Sequence, residues 1–407
     1  MKRMKAVLIL LTLIFLISGC SGSNKKGAVD RTDFGAVLAA AKGTTVNFYG
    51  WGGSELTNKW IDNYLAKYVK ENYDIKINRV PMDIDQILNK MIGEKQANVK
   101  KGSVDLVWIN GENFNTAMKN DLLFGPFTDY LPNYEKYVDV NSDEVKYDFG
   151  YEINGFEAPY GKAQFVFINN PEATPQASKS AEELLEYAKN YKGRVTYPAP
   201  PDFTGSAFVR NIIYDIVGYD MVKNLSADKE EVYNAIKPAI DYLKELKPYL
   251  WKEGKTYPST IAQLDNMYAD GEVIMTMSYN PNHVAAMIQT GQFPESSQSF
   301  IFDKGTIGNT HFLAIPANAA NIDGALAVIN AVLTPQMQAS KYVPENWGDL
   351  PVVDMNKLNE EEKELFTAVK IGKGVLPPEE LLSKRVGELK ADVVPIIEEI
   401  WQEEIMK

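Results

Sequence analysis

Cysteine and histidine are nearly missing from this 407-residue chain, which has one cysteine, Cys20, and two histidines, His283 and His311. A single thiol excludes an intrachain disulfide. With only two distant histidines, it also leaves no Cys/His set for a structural zinc site. Positive charge is short too: 42 Lys and Arg stand against 54 Asp and Glu, a net charge of −12. That sign argues against a nucleic-acid partner. The 28 glycines and 21 prolines are too few for a low-complexity or collagen-like chain. No stretch reaches the roughly twenty apolar residues that span a bilayer. What remains, 45% hydrophobic and 24% charged residues, is the composition of a globular protein. At roughly 100–200 residues per domain, this length predicts two or three domains.

Catalytic signatures are missing as well. There is no G-x-S-x-G elbow, P-loop, H-E-x-x-H or G-x-G-x-x-G, and no Cys–His pairing. Each histidine is expected to be a structural, hydrogen-bonded one. A hydrolase reading would need two convergent carboxylates, or a His283–Asp pair, in a cleft. The chain therefore reads as a non-enzyme, with no cofactor and no metal.

The first twenty residues set the compartment. Lys2, Arg3 and Lys5 precede an apolar run from Ala6 to Ile17, too short to span a membrane and right for a signal-peptide core. Leu16-Ile17-Ser18-Gly19-Cys20 then resembles a bacterial lipoprotein signal, which implies cleavage after residue 19 and lipidation of Cys20. Ser21 to Gly27 reads as a polar tether. Losing residues 1–19 makes the remainder three charges more negative. The lipid, not the protein surface, is then what holds the chain to a membrane, and two acyl chains do so stably.

Beyond the tether the pattern is β-α-β-α-β. Thr44–Tyr49 alternates like a strand and Gly50-Trp51-Gly52-Gly53 breaks it. Ser54 caps a helix carrying Leu56, Trp60, Ile61, Leu65, Tyr68 and Val69 at helical spacing. Strands follow at 74–81 and 104–109, with a helix at 84–91 between them. The middle repeats this grammar: strands at 164–168, 194–197 and 273–278, and helices at 181–188, 203–217 and 233–250. A helix at 325–333 and a helical tail over 377–406 complete the chain. The reading is an α/β protein of two lobes with mostly parallel sheets flanked by helices. In such sheets a ligand lies beyond the carboxyl ends of the strands. That rule picks out the loops after Tyr49, Ile109, Tyr197 and Ser278.

Those loops carry the candidate binding residues. Trp51, Gly52 and Gly53 precede a helix N-terminus, where free N–H groups meet polar ligands. Asn110, Glu112 and Asn113 follow the third strand, with Asn113 also a candidate helix cap. Tyr160 precedes the entry into the second lobe. Thr204 and Ser206 open a helix, Tyr279 and Asn280 end a strand, and Trp347 sits in an aromatic–acid loop. Each has a plain alternative as a turn, cap or packed side chain. Aromatic faces with carboxylates suit a compact organic cation, whereas the glycine loop and hydroxyls suit an anionic end.

The mature chain resembles the extracellular solute-binding proteins of ABC importers. The resemblance rests on the lipobox, VNFYGWGG, VDLVWINGENF, APYGKAQFVFINN and GNTHFLAIPANAANIDGALAVINAVLTPQMQ. WINGENF looks like a YnjB-type branch of that family. The resemblance implies a two-lobe, type II periplasmic-binding-protein fold, hinged on crossover strands near 160–168 and 305–315. It assigns residues 43–163 and 308–342 to the first lobe, 164–307 and 343–407 to the second, and 20–42 to the tether and a short helix. It implies a monomer that closes on a small molecule and hands it to ABC permease subunits outside the cytoplasm. The expected ligand is a thiamine-like or polyamine-like cation or zwitterion. A carbohydrate or an oxyanion is the alternative.

Overall fold

The computed structural model describes residues 29–174 and 178–407. The expected signal peptide, Cys20 and the expected tether Ser21–Gly27 lie outside the described residues. Eleven strands are found among them: β1 Thr45–Gly50, β2 Lys76–Pro81, β3 Leu106–Ile109, β4 Tyr147–Asp148, β5 Tyr151–Glu152, β6 Glu157–Gln164, β7 Val166–Asn169, β8 Met275–Ser278, β9 Gln298–Phe300, β10 Thr306–Ala314 and β11 Arg385–Val386.

β1 lies between β2 and β3 and pairs in parallel with both. The helices Glu55–Trp60, Ala66–Tyr73 and Ile84–Gln96 fill the crossovers, as parallel connections require. Ser54 starts the first of them, its side chain accepting the Thr57 N–H. β10 then adds antiparallel to β3, and β6 antiparallel to β10. β7, β8 and β9 form a second, antiparallel sheet.

Buried side chains sort into separate cores. Phe48, Trp60, Leu106, Leu313 and Val328 fill one face of the first sheet, and Ile87, Met91, Val107, Phe114 and Phe312 the other. The second lobe has its own core, in which Phe167 stacks on Phe302 and Trp401 donates to the Tyr197 hydroxyl at 3.0 Å. Burying an aromatic of this size contributes about 3–5 kcal/mol. The chain passes between lobes side by side along β6 and β10. Phe165 interrupts the strand expected at 164–168, its N–H donating to the Ile307 carbonyl at 2.7 Å.

Three expectations change. Arg194–Tyr197 is not a strand; the Arg194 and Val195 carbonyls each take one N–H, from Ile274 and Trp251, and no ladder forms. The tail is not one helix, because Gly387 and an extended stretch separate Pro378–Ser383 from Val394–Trp401. Residues 347–366 pack on the first lobe, whereas the division above put them in the second. Trp347 and Val352 join the first core, and Phe366 packs with Tyr137 and Tyr342. The chain then returns to the second lobe, where Gly372 lies against Ala285.

Candidate functional site

The loop after β1 is pinned from behind. Asn58 donates to the Gly52 carbonyl at 2.8 Å and is itself held by Arg79 at 3.1 Å. Trp51 folds back over Gly53, where an added Cβ would lie 2.3 Å from the indole, yet the residue is 53% exposed. An anchored backbone with an open aromatic face has the form of a recognition surface.

The loop after β3 leads into the helix Glu112–Lys119, with Gly111 as its cap. No side chain caps that helix, so Asn113 does not play the capping part. Its N–H bonds the Asn110 carbonyl at 3.2 Å. Glu112, in the first turn, is exposed. Partial burial first, and then the negative charges of Glu398 and Asp85, raise its carboxyl above the usual range. Glu398 belongs to the second-lobe helix Val394–Trp401. A second-lobe carboxylate therefore acts on a first-lobe one.

On the second lobe, Asp202 starts the helix Phe203–Ile216 by accepting the Thr204 and Gly205 N–H groups. Phe203 is 51% exposed and its ring lies 4.9 Å from that of Tyr279. Behind it runs a polar chain. The Ser206 hydroxyl donates to Glu398 at 2.6 Å and accepts from Arg210 at 2.6 Å. Arg210 donates to both Glu388 oxygens, at 3.2 and 3.3 Å, and the Tyr279 hydroxyl donates to Glu388 as well. Ser206 and Thr204 are both buried, so they serve the wall of the site from inside. Asn280 is spent on its own turn, accepting the Asn282 N–H at 2.9 Å.

Tyr160 and Trp347 are placed away from those loops. Tyr160 is fully buried among Phe48, Trp60, Trp108 and Trp347, with ring centres 5.2–6.2 Å away. The buried Lys341 ammonium lies over both the Tyr160 and Trp347 rings. It pairs with Asp349 at 2.6 Å, and Asp349 also holds His311 at 3.2 Å. These two aromatics build the core behind β10. His283 pairs with Asp265 at 2.8 Å, and Asp265 takes the Thr276 hydroxyl on its other oxygen. Among the described residues the His283 side chain has no bond to a serine or a thiol. A depression of about 440 Å³ lined by Glu172, Glu295, Ser296 and Lys373 shares no residue with the loops above.

Sequence reasoning missed Phe203, Arg210, Glu388 and Glu398. Arg210 had a signal, lying one helical turn after Ser206. Glu388 and Glu398 had none, because they come from the tail, about 180 residues further along the chain.

The family model of the bacterial extracellular solute-binding proteins matches residues 63–362. The curated Protein YnjB of Escherichia coli (strain K12) is 38% identical over 339 residues, covering 83% of this chain and 87% of YnjB. Among solved structures, an ABC transporter protein from Clostridium perfringens is 17% identical with a TM-score of 0.62, covering 89% of this chain and all of that one. The spermidine/putrescine substrate-binding protein PotD of Streptococcus pneumoniae is 15% identical with a TM-score of 0.58, covering 88% of this chain and 99% of that one.

Proposed function

The chain belongs to the bacterial extracellular solute-binding proteins, and from that premise we propose that it is a lipid-anchored receptor delivering a small organic cation to an ABC permease. Membership of the family carries the transport role and the extracytoplasmic location. One observation carries the choice of ligand: the charges of Glu398 of the second lobe and of Asp85 both bear on the Glu112 carboxyl of the first. Like charges brought together across a gap are unfavourable until a cation lies between them. The exposed faces of Trp51 and Phe203 offer the cation–π contacts that a desolvated ammonium prefers. The net charge of −12 draws cations toward the protein.

Structural neighbours below 25% identity share the fold and leave the ligand open, so the proposal rests on this chain's own carboxylates. A thermal-shift panel tests it, with spermidine, putrescine and thiamine set against maltose, fructose 6-phosphate and citrate. A cation should raise the melting temperature saturably; at 100-fold excess over Kd the gain corresponds to about 2.7 kcal/mol. The same cation should bind Glu112→Gln about tenfold more weakly, near 1.4 kcal/mol. A response to a sugar or an anion alone overturns the choice of ligand. The anchor is read separately: Cys20→Ala should move the protein from the membrane to the soluble fraction.

A further inference from the structure

β4 and β5 form a hairpin, with Tyr147 opposite Glu152 and Asp148 opposite Tyr151. Its two turn residues, Phe149 (φ 44°) and Gly150 (φ 75°), are both left-handed, the turn whose twist suits a tight hairpin. The tip reaches the second lobe. The Ala391 N–H donates to the Phe149 carbonyl at 3.1 Å. Gly150 lies so close to Lys390 that an added Cβ would sit 2.8 Å from the lysine Cγ.

The base of the hairpin reaches the loop that carries Glu112. Asp148 accepts the Gly111 N–H, and the Phe149 ring covers Gly111, leaving 3.1 Å for any Cβ. Gly111 itself has φ 60°, ψ −127°, a conformation that glycine alone adopts readily. One short hairpin thus touches the residue before Glu112 on one side and the chain next to Glu388 on the other.

Beneath it lies a pair of acids, Asp148 at 1% and Glu157 at 0% exposure. Among the described residues Asp148 Oδ1 and both Glu157 carboxyl oxygens have no hydrogen-bond partner. The groups acting on Asp148 are the Gly111 N–H and the Glu388 carboxylate, and Asp148 in turn acts on Glu157. Arg210 is already paired with Glu388. Bare carboxylates without a cation are too costly to bury in this way.

We propose that the 147–152 hairpin is a cross-lobe latch, held shut by proton uptake on the buried Asp148–Glu157 pair, which ties the Asn110–Glu112 loop to residues 387–391 of the second lobe. Burial raises both carboxyls, the Gly111 N–H partly offsets the rise at Asp148, Glu388 adds to it there, and Asp148 adds to it at Glu157. The folded values lie above the unfolded ones. The contribution of the pair is therefore complete below the usual carboxylate range and is lost as pH rises through the folded values. Ionised, Asp148 would also repel Glu388 across the lobe boundary.

Amide hydrogen exchange on the full chain without ligand, corrected for intrinsic rates, tests the latch at pH about 5.5 and about 8.5. In the wild type, peptides containing Gly111 and Ala391 should lose protection about tenfold more than the lobe cores at the higher pH. The double variant Asp148→Asn with Glu157→Gln should keep equal protection at both values. Gly150→Val should expose Ala391 and leave Gly111 protected, which keeps the test decisive should the double variant not fold. Equal wild-type protection at both pH values overturns the proposal, as does an unprotected Ala391 at the lower pH or a protected one in Gly150→Val. None of these outcomes depends on which solute is bound.

Discussion

Arg210 is the residue whose loss should cost the second lobe most for its position beside the site. Its side chain is 1% exposed and that of Glu388 is 3% exposed. It gives two N–H groups to Glu388 and a third to Ser206. Arg210→Met keeps most of the volume and removes every one of those bonds. Glu388 would then be a buried anion with the Tyr279 hydroxyl as its remaining partner. Breaking one side of a buried pair costs about 3–5 kcal/mol. For a lobe of this size each kcal/mol lowers Tm by about 2–4 °C, so calorimetry should show the second-lobe transition falling by about 6–20 °C. Pairing Arg210→Met with Glu388→Leu removes the stranded charge, and that double variant should recover most of the loss, since an apolar replacement of both partners is often near neutral. A single variant within about 1 kcal/mol of wild type, or a double variant less stable than the single, refutes the reasoning.

Two further outcomes follow from exposure and charge. Trp51→Ala should leave stability within about 0.5 kcal/mol, because its ring is already half open to solvent, while solute affinity by titration calorimetry falls about tenfold or more; unchanged affinity removes Trp51 from the site. Glu144 joins Lys162 of β6, at 2.8 Å, to Arg385 of the second lobe. Burial pushes its carboxyl up, but Arg385 and Lys162 more than offset this and hold it at about 2. A depressed value means that this stability is present above pH about 4.5 and is lost as pH falls toward about 2. Glu144→Gln should flatten chemical-denaturation midpoints across that window, and a wild-type slope in the variant would show that the pair contributes nothing.

Much of the architecture was readable because hydrophobic spacing is a local property. β1, β2 and β3, with the helices between them, fall where alternation and helical periodicity put them. The same local rule failed at Arg194–Tyr197, where the residues alternate but no strand lies alongside to complete a ladder. It failed again at 377–406, where Glu- and Lys-rich sequence hides the extended stretch that brings Glu388 to Arg210. Trp51 and Tyr160 show the limit for site residues. Both are aromatics in or beside a strand, yet one is open to solvent and the other sealed among four aromatic rings. Nothing within a few residues of either distinguishes them.

By itself the sequence determined the class of molecule: alternating strands and helices in numbers enough for two lobes, and a composition with one cysteine and two histidines. Those properties depend on order along the chain and on counts, which need no partner. Tertiary structure alone decided which charges meet. The Glu398 charge acts on Glu112, Arg210 closes on Glu388, and Asp148 acts on the buried Glu157. The first two join residues about 180 to 290 positions apart, and electrostatic energy depends on distance through space and on burial rather than on separation along the chain.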